Sequence, residues 1–154
     1  MPVQDIPRRI HPLQRENTVI VIDTPPPGPG AAAIADSAIE AADLVVMPVP
    51  PRPADMDRVL ATLHVAEKHG KPVRAVLTQV RGGIGPQRRR AEALEVLRGW
   101  QVTVYSTEFP YSVAVEGTYG QYPMPSGPVM RYGMELMTEI LTTEIQGKAA
   151  TGNG

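Results

Sequence analysis

The sequence predicts an α/β protein: a parallel sheet of about four strands with flanking helices. Three observations predict it. Short apolar runs alternate with stretches of helical periodicity from residue 18 to residue 146. The first run, "TVIVI", is continuously apolar, the pattern of a strand buried on both faces. Prolines and glycines gather at the junctions between strands and helices, where turn chemistry is needed.

Each element follows in order. Residues 1–16 read as an irregular lead-in. "TVIVI", 18–22, reads as a buried strand that ends at Asp23 and breaks into "TPPPGPG". "AAAIADSAIEAAD", 31–43, is alanine-rich and places Ile34, Ala38, Ile39 and Ala42 at helical spacing. "LVVMPV", 44–49, is a second buried strand. "PPRP" marks a turn, and "ADMDRVLATLHVAEKHG" is a helix with Ala54 or Asp55 near its start and Gly70 as its C-cap. "KPVRAVLTQV", 71–80, is a third strand. "RGGIG" is a loop, and "PQRRRAEALEVLRGW" a helix with Pro86 in its first turn. "QVTVYST", 101–107, is a fourth strand, and "PYSVAVEGTYGQYP" is mostly loop. "SGPVMRYGMELMTEILTTEIQ", 126–146, is a final amphipathic helix capped by Ser126, with Met130, Met134, Met137 and Leu141 as its apolar stripe. The expected organisation is one α/β domain over 17–146 and a flexible tail over 147–154.

Composition narrows the function classes. A net charge of −1 gives no global pull toward nucleic acid or acidic lipid. The absence of cysteine removes disulfides, thiolate metal sites and cysteine nucleophiles. The N-terminal stretch lacks an apolar signal region, and no run reaches the roughly 18 apolar residues of a membrane helix. A cytoplasmic protein without membrane partners is the expectation. His11, His64 and His69 lack metal-site spacing, and Ser106, Ser112 and Ser126 lack a nucleophile elbow. Ligands of parallel α/β sheets bind at the carboxyl ends of strands, so the loops of interest are 23–30, 48–55, 78–85 and 107–120.

Those loops carry a resemblance. "VIVIDTPPPGPG", "AADLVVMPVPPRPADMD", "VRAVLTQVRGG" and "GWQVTVYSTEFPYSVAVEGTYGQ" follow in the order found in the ParA/MinD-type partition ATPases. The likeness covers about residues 17–145, and the proline pattern from Pro48 to Asp55 matches best. It implies a truncated P-loop NTPase fold, Rossmann-like and three-layered, running from the Walker B strand to the C-terminus. It also implies a role in plasmid or chromosome partitioning, with ATP and Mg²⁺ as cofactors. By that likeness Asp23 would orient the metal, and Thr24, Pro25 and Gly28 would approach the γ-phosphate. Thr78 and Pro110, with Gln79 and the loop 109–113, would lie by the base. Arg81, Arg88, Arg89 and Arg90 would contact DNA without sequence preference, possible nucleoid association included.

The chain departs from the family in two respects. No G-x-x-x-x-G-K-[ST] occurs, and "RGGIGPQRRR" has no lysine or hydroxyl after its glycines. An additional proline, Pro27, also stands before Gly28. The expectation is therefore a ParA-like protein unable to hydrolyse ATP alone. Its partner would be another copy, a complementing ATPase subunit, a centromere-binding adaptor or DNA. In the family the phosphate-loop strand lies between the strands ending at Asp23 and Val49. Without it those two pair directly, or a sheet edge stays open. Plainer readings stand beside these. Asp23 is also what a turn after a strand uses, and Glu92 and Glu95 beside the arginines fit a solvated helix face. The alternative function is a non-catalytic interaction module that presents Tyr111, Tyr119 and Tyr122 on the loop 105–125.

Overall fold

A computed structural model of the chain describes residues 5–15, 19–25, 28–112 and 127–145. The described elements are α1 (Ile6–Ile10) with a 3₁₀ turn (His11–Leu13), α2 (Ala31–Ala41), β1 (Val45–Val49), α3 (Pro53–Lys68), β2 (Val73–Leu77), α4 (Ile84–Gly99), β3 (Thr103–Val104), and α5 (Pro128–Ile140) closed by a π-type turn (Leu141–Ile145). The strands form a three-stranded parallel sheet in the order β1-β2-β3, with flanking helices. The α/β class is thus present.

Two expectations are corrected. Among the described residues the sheet has three strands where about four were expected, because 19–22 is not a strand. Val19 is 58% exposed and Val21 75%, while Ile20 and Ile22 are half-buried. A parallel strand buried on both faces needs a neighbour on each side and cover above and below. Strong β-formers without those neighbours stay unpaired, since β-propensity mostly measures packing context. The lead-in, in turn, is helical at Ile6–Ile10, where Pro7 sits at the start and its fixed φ suits a first turn. The capping role of Ser126, residues 113–125 of the long loop with Tyr119 and Tyr122, and the tail 147–154 lie outside the described residues.

The chain gathers into two compact units. The first holds Met1–Val46 and Arg58–Val73. Here α2 buries Ser37, Ala38 and Ile39, and α3 buries Val59 and Ala66. Asp36 on α2 accepts from Lys68 Nζ at 3.1 Å and lies 3.2 Å from His69 Nε2, which joins the end of α3 to α2. Those hydrogen bonds, from Lys68 first and His69 second, hold the Asp36 carboxyl below its ordinary range. Gly70 closes α3 with φ +62°, a conformation that favours glycine, and Lys71 N–H donates back to Ala66.

The second unit holds Met47–Asp57 and Arg74–Gly154. Its core is Met47, Val49, Ala75, Val76, Leu77, Ala93, Leu97, Val102 and Tyr105, with Val49, Leu77 and Leu97 fully enclosed. β2 and β3 run parallel with Arg74 opposite Thr103 and Ala75 opposite Val104. The β2 burial run at Ala75–Leu77 is continuous, as a central strand requires. β1 is an edge strand. Val45 donates to Pro72 and Val49 accepts from Thr78, so positions 45 and 49 face β2. Pro48 belongs to the opposite set, and the N–H it lacks would have pointed to the free edge.

Candidate functional site

The carboxyl ends of the three strands make one rim in the second unit. Thr78 N–H donates to Val49 O at 3.0 Å, bringing the end of β2 beside the end of β1. Beyond it, Val80 forms a parallel bridge with Pro110. Val80 N–H donates to Phe109 O at 3.1 Å and Tyr111 N–H to Val80 O at 2.8 Å. The loops that follow β1, β2 and β3 therefore lie side by side, where parallel sheets place ligands.

Thr78 is half-buried, and Gln79 is exposed with φ +55°. A left-handed backbone at a non-glycine residue costs about 1 kcal/mol and is concentrated at turns and functional sites. The Gln79 side-chain oxygen accepts from Arg52 Nη2, and Arg52 also lies 3.3 Å from Asp55. Arg81 stacks over the Tyr111 ring at 3.7 Å, and its carbonyl accepts from Gln87. Both rings of polar contact are exposed, so the rim offers an amide, a guanidinium and an aromatic face to a planar polar ligand. Pro110 is half-buried within the same rim.

β3 is interrupted on its way to the rim. Tyr105 N–H donates to Ala75 O and Phe109 N–H to Leu77 O, so four residues span what two span on β2. Residues 106–108 bulge out of the ladder, and the amides of Ser106 and Thr107 lose their strand partners. Glu139 of α5 takes both: Ser106 N–H donates to Oε1 at 2.6 Å and Thr107 N–H to Oε2 at 2.9 Å. Burial pushes the Glu139 carboxyl up, but those amide donors outweigh it and the net direction is down. Glu108, on the bulge, is held bidentately by Arg90, whose Nε lies 2.9 and 3.0 Å from its two oxygens.

The remaining residues fall as follows. Asp23, Thr24, Pro25 and Gly28 are exposed and belong to the first unit. Among the described residues no group of three or more histidines, aspartates and glutamates is placed to hold a metal. Of the arginine run, Arg90 is engaged by Glu108 and Arg88 lies 3.4 Å from Glu92. Arg89 is exposed with no partner among the described residues. Arg52, the Arg81–Tyr111 stack and the Glu139 cap were not singled out by sequence. Arg52 sits inside the proline pattern at 48–55, but a lone arginine in a turn carries no signal of its own, and Glu139 looks like any helix carboxylate.

No helix among the described residues is long and apolar enough to cross a membrane. No family model, no curated protein and no solved structure matches the chain.

Proposed function

We propose that the chain is a ParA/MinD-like partitioning protein that does not hydrolyse ATP unaided and acts through a partner. The observation that carries this reading is the rim. Pro50–Asp55, Thr78–Gly83 and Phe109–Tyr111 stand together at the carboxyl end of one parallel sheet. These are the stretches on which the resemblance was drawn, and they are the loops that bear ligands in such sheets.

The rim supplies recognition groups, and the sequence carries no G-x-x-x-x-G-K-[ST] loop to cradle a phosphate. In phosphoryl transfer most of the rate acceleration comes from donors that surround the transferred group. Asp23 is the carboxylate suited to Mg²⁺ when a phosphate is presented to it. The missing cradle is then the partner's contribution, whether a second copy or a complementing ATPase subunit. A centromere-binding adaptor and DNA are the other partners of this reading.

DNA retention under a salt titration tests the partitioning arm. Arg81, Arg88 and Arg89 are the exposed cations for phosphate contact. Binding that falls steeply with salt, and more shallowly in an Arg88→Ala/Arg89→Ala variant, supports this reading. Salt-independent retention, or none at low salt, removes DNA as the partner.

The interaction-module reading keeps one specific observation. Tyr111 and Arg81 form an exposed aromatic–guanidinium pair, and Ile84, three residues after Arg81 in the chain, is 94% exposed. Tyrosine and arginine are the residues most enriched at interface hot spots. A Tyr111→Ala change that abolishes capture of an adaptor while leaving DNA retention intact would favour it.

A further inference from the structure

We infer that α5 and its π-type turn form a detachable clasp, held to the sheet of the second unit by two carboxylates rather than by burial. No residue of α5 is buried. Met130, Met137 and Leu141 are half-buried, and Met134 is 60% exposed. The predicted apolar stripe is therefore not a core contact.

What holds the helix is polar. Glu139 caps the two bulge amides of Ser106 and Thr107. Glu144 accepts from Arg74 Nε at 2.8 Å and from the Tyr105 hydroxyl at 3.4 Å. Thr143 also hydrogen-bonds the Tyr105 hydroxyl, and Phe109 meets Tyr132 at 5.7 Å between ring centroids.

The two carboxylates are five residues apart. In an α-helix of 3.6 residues per turn that spacing leaves them about 140° apart around the axis. In a turn with i→i+5 bonding, the fifth residue returns to nearly the same face. The π-type turn at Leu141–Ile145 begins between Glu139 and Glu144, and its wider winding reduces the angle between them. The local sequence favours such a departure. Thr138, Thr142 and Thr143 each bond back to a carbonyl one turn earlier, which weakens and bends a helix.

The largest fully enclosed residues of this unit, Val49, Leu77 and Leu97, belong to β1, β2 and α4, and none belongs to α5. Opening the clasp uncaps the Ser106 and Thr107 amides and releases Arg74 and Tyr105 from Glu144. A segment that is ion-paired but unburied is the kind that opens sub-globally, below the free energy of global unfolding.

Hydrogen exchange on the full chain at neutral pH tests this, comparing the parent with Glu139→Gln/Glu144→Gln and with Glu135→Gln on the outer face of α5. In the parent, amides of 128–145 and those of Ser106 and Thr107 should exchange together, faster than those of Val73–Leu77. The double variant should raise exchange in 128–145, Ser106 and Thr107 by about tenfold or more, since charge-assisted bonds are lost. Val73–Leu77 should stay protected, and Glu135→Gln should change little. The clasp is overturned if 128–145 exchanges at the rate of β2 in the parent. It is equally overturned if the double variant leaves the helix unchanged or strips helix and strand of protection together.

Discussion

Glu139 is a residue whose charge state bears on the described fold, through the two amides it accepts from. Its pKa lies below its ordinary value of 4.5, so it stabilises the folded state above pH 4.5. That contribution is lost as pH falls through the lowered value. The charged groups that face this clasp are Arg74 on β2, Tyr105 after β3, and Glu144 on the π-type turn. Arg131 and Glu135 pair with each other on the same helix at 3.9 Å. An acid titration of the Ser106 and Thr107 amide resonances should give a midpoint below 4.5, and Glu139→Gln should abolish it. The Arg90–Glu108 pair is a second residue-scale test. Arg90→Met leaves a half-buried carboxylate without its partner and should destabilise by about 1 kcal/mol in urea unfolding. Neither pair was legible in the sequence, because a carboxylate that meets a guanidinium or an amide from a distant strand leaves no local pattern.

The elements show where sequence suffices and where it does not. α2, α3 and α4 were legible because alanine content, a closing glycine and proline in a first turn act locally, through backbone preference. β1, β2 and β3 were legible because short stretches rich in valine, flanked by turn residues and alternating with helical periodicity, have few other uses. Val19–Ile22 has the same composition and is not a strand, since pairing is decided by a neighbour and not by the residues themselves. The final helix was legible as a helix but not in its mode of attachment. Its methionine spacing predicts a buried stripe, whereas Glu139 and Glu144 hold it by charge. Two substitutions check these assignments by urea unfolding. Leu97→Ala, at a fully enclosed site on α4, should cost about 2–5 kcal/mol. Gly70→Ala, at φ +62°, should cost about 1 kcal/mol through backbone strain alone.

At the scale of the whole molecule, the three-stranded sheet gathers the recognisable loops at one rim, while the aspartate expected to hold the metal stands exposed in the other unit. The rim was legible as a location, since the carboxyl ends of parallel strands are where loops meet. Its chemistry was only partly legible, because the Arg52–Gln79 and Arg81–Tyr111 contacts depend on tertiary placement. In the proposed function this chain does not hold a nucleotide unaided and acts through a partner. The most direct measurement is a titration of the purified full chain with a fluorescent ATP analogue and Mg²⁺, run beside Asp23→Ala. The account predicts no saturable binding up to millimolar nucleotide by the folded chain alone, and no difference in the variant. Saturable binding that Asp23→Ala abolishes would contradict it, because the chain would then carry a complete metal–phosphate site of its own.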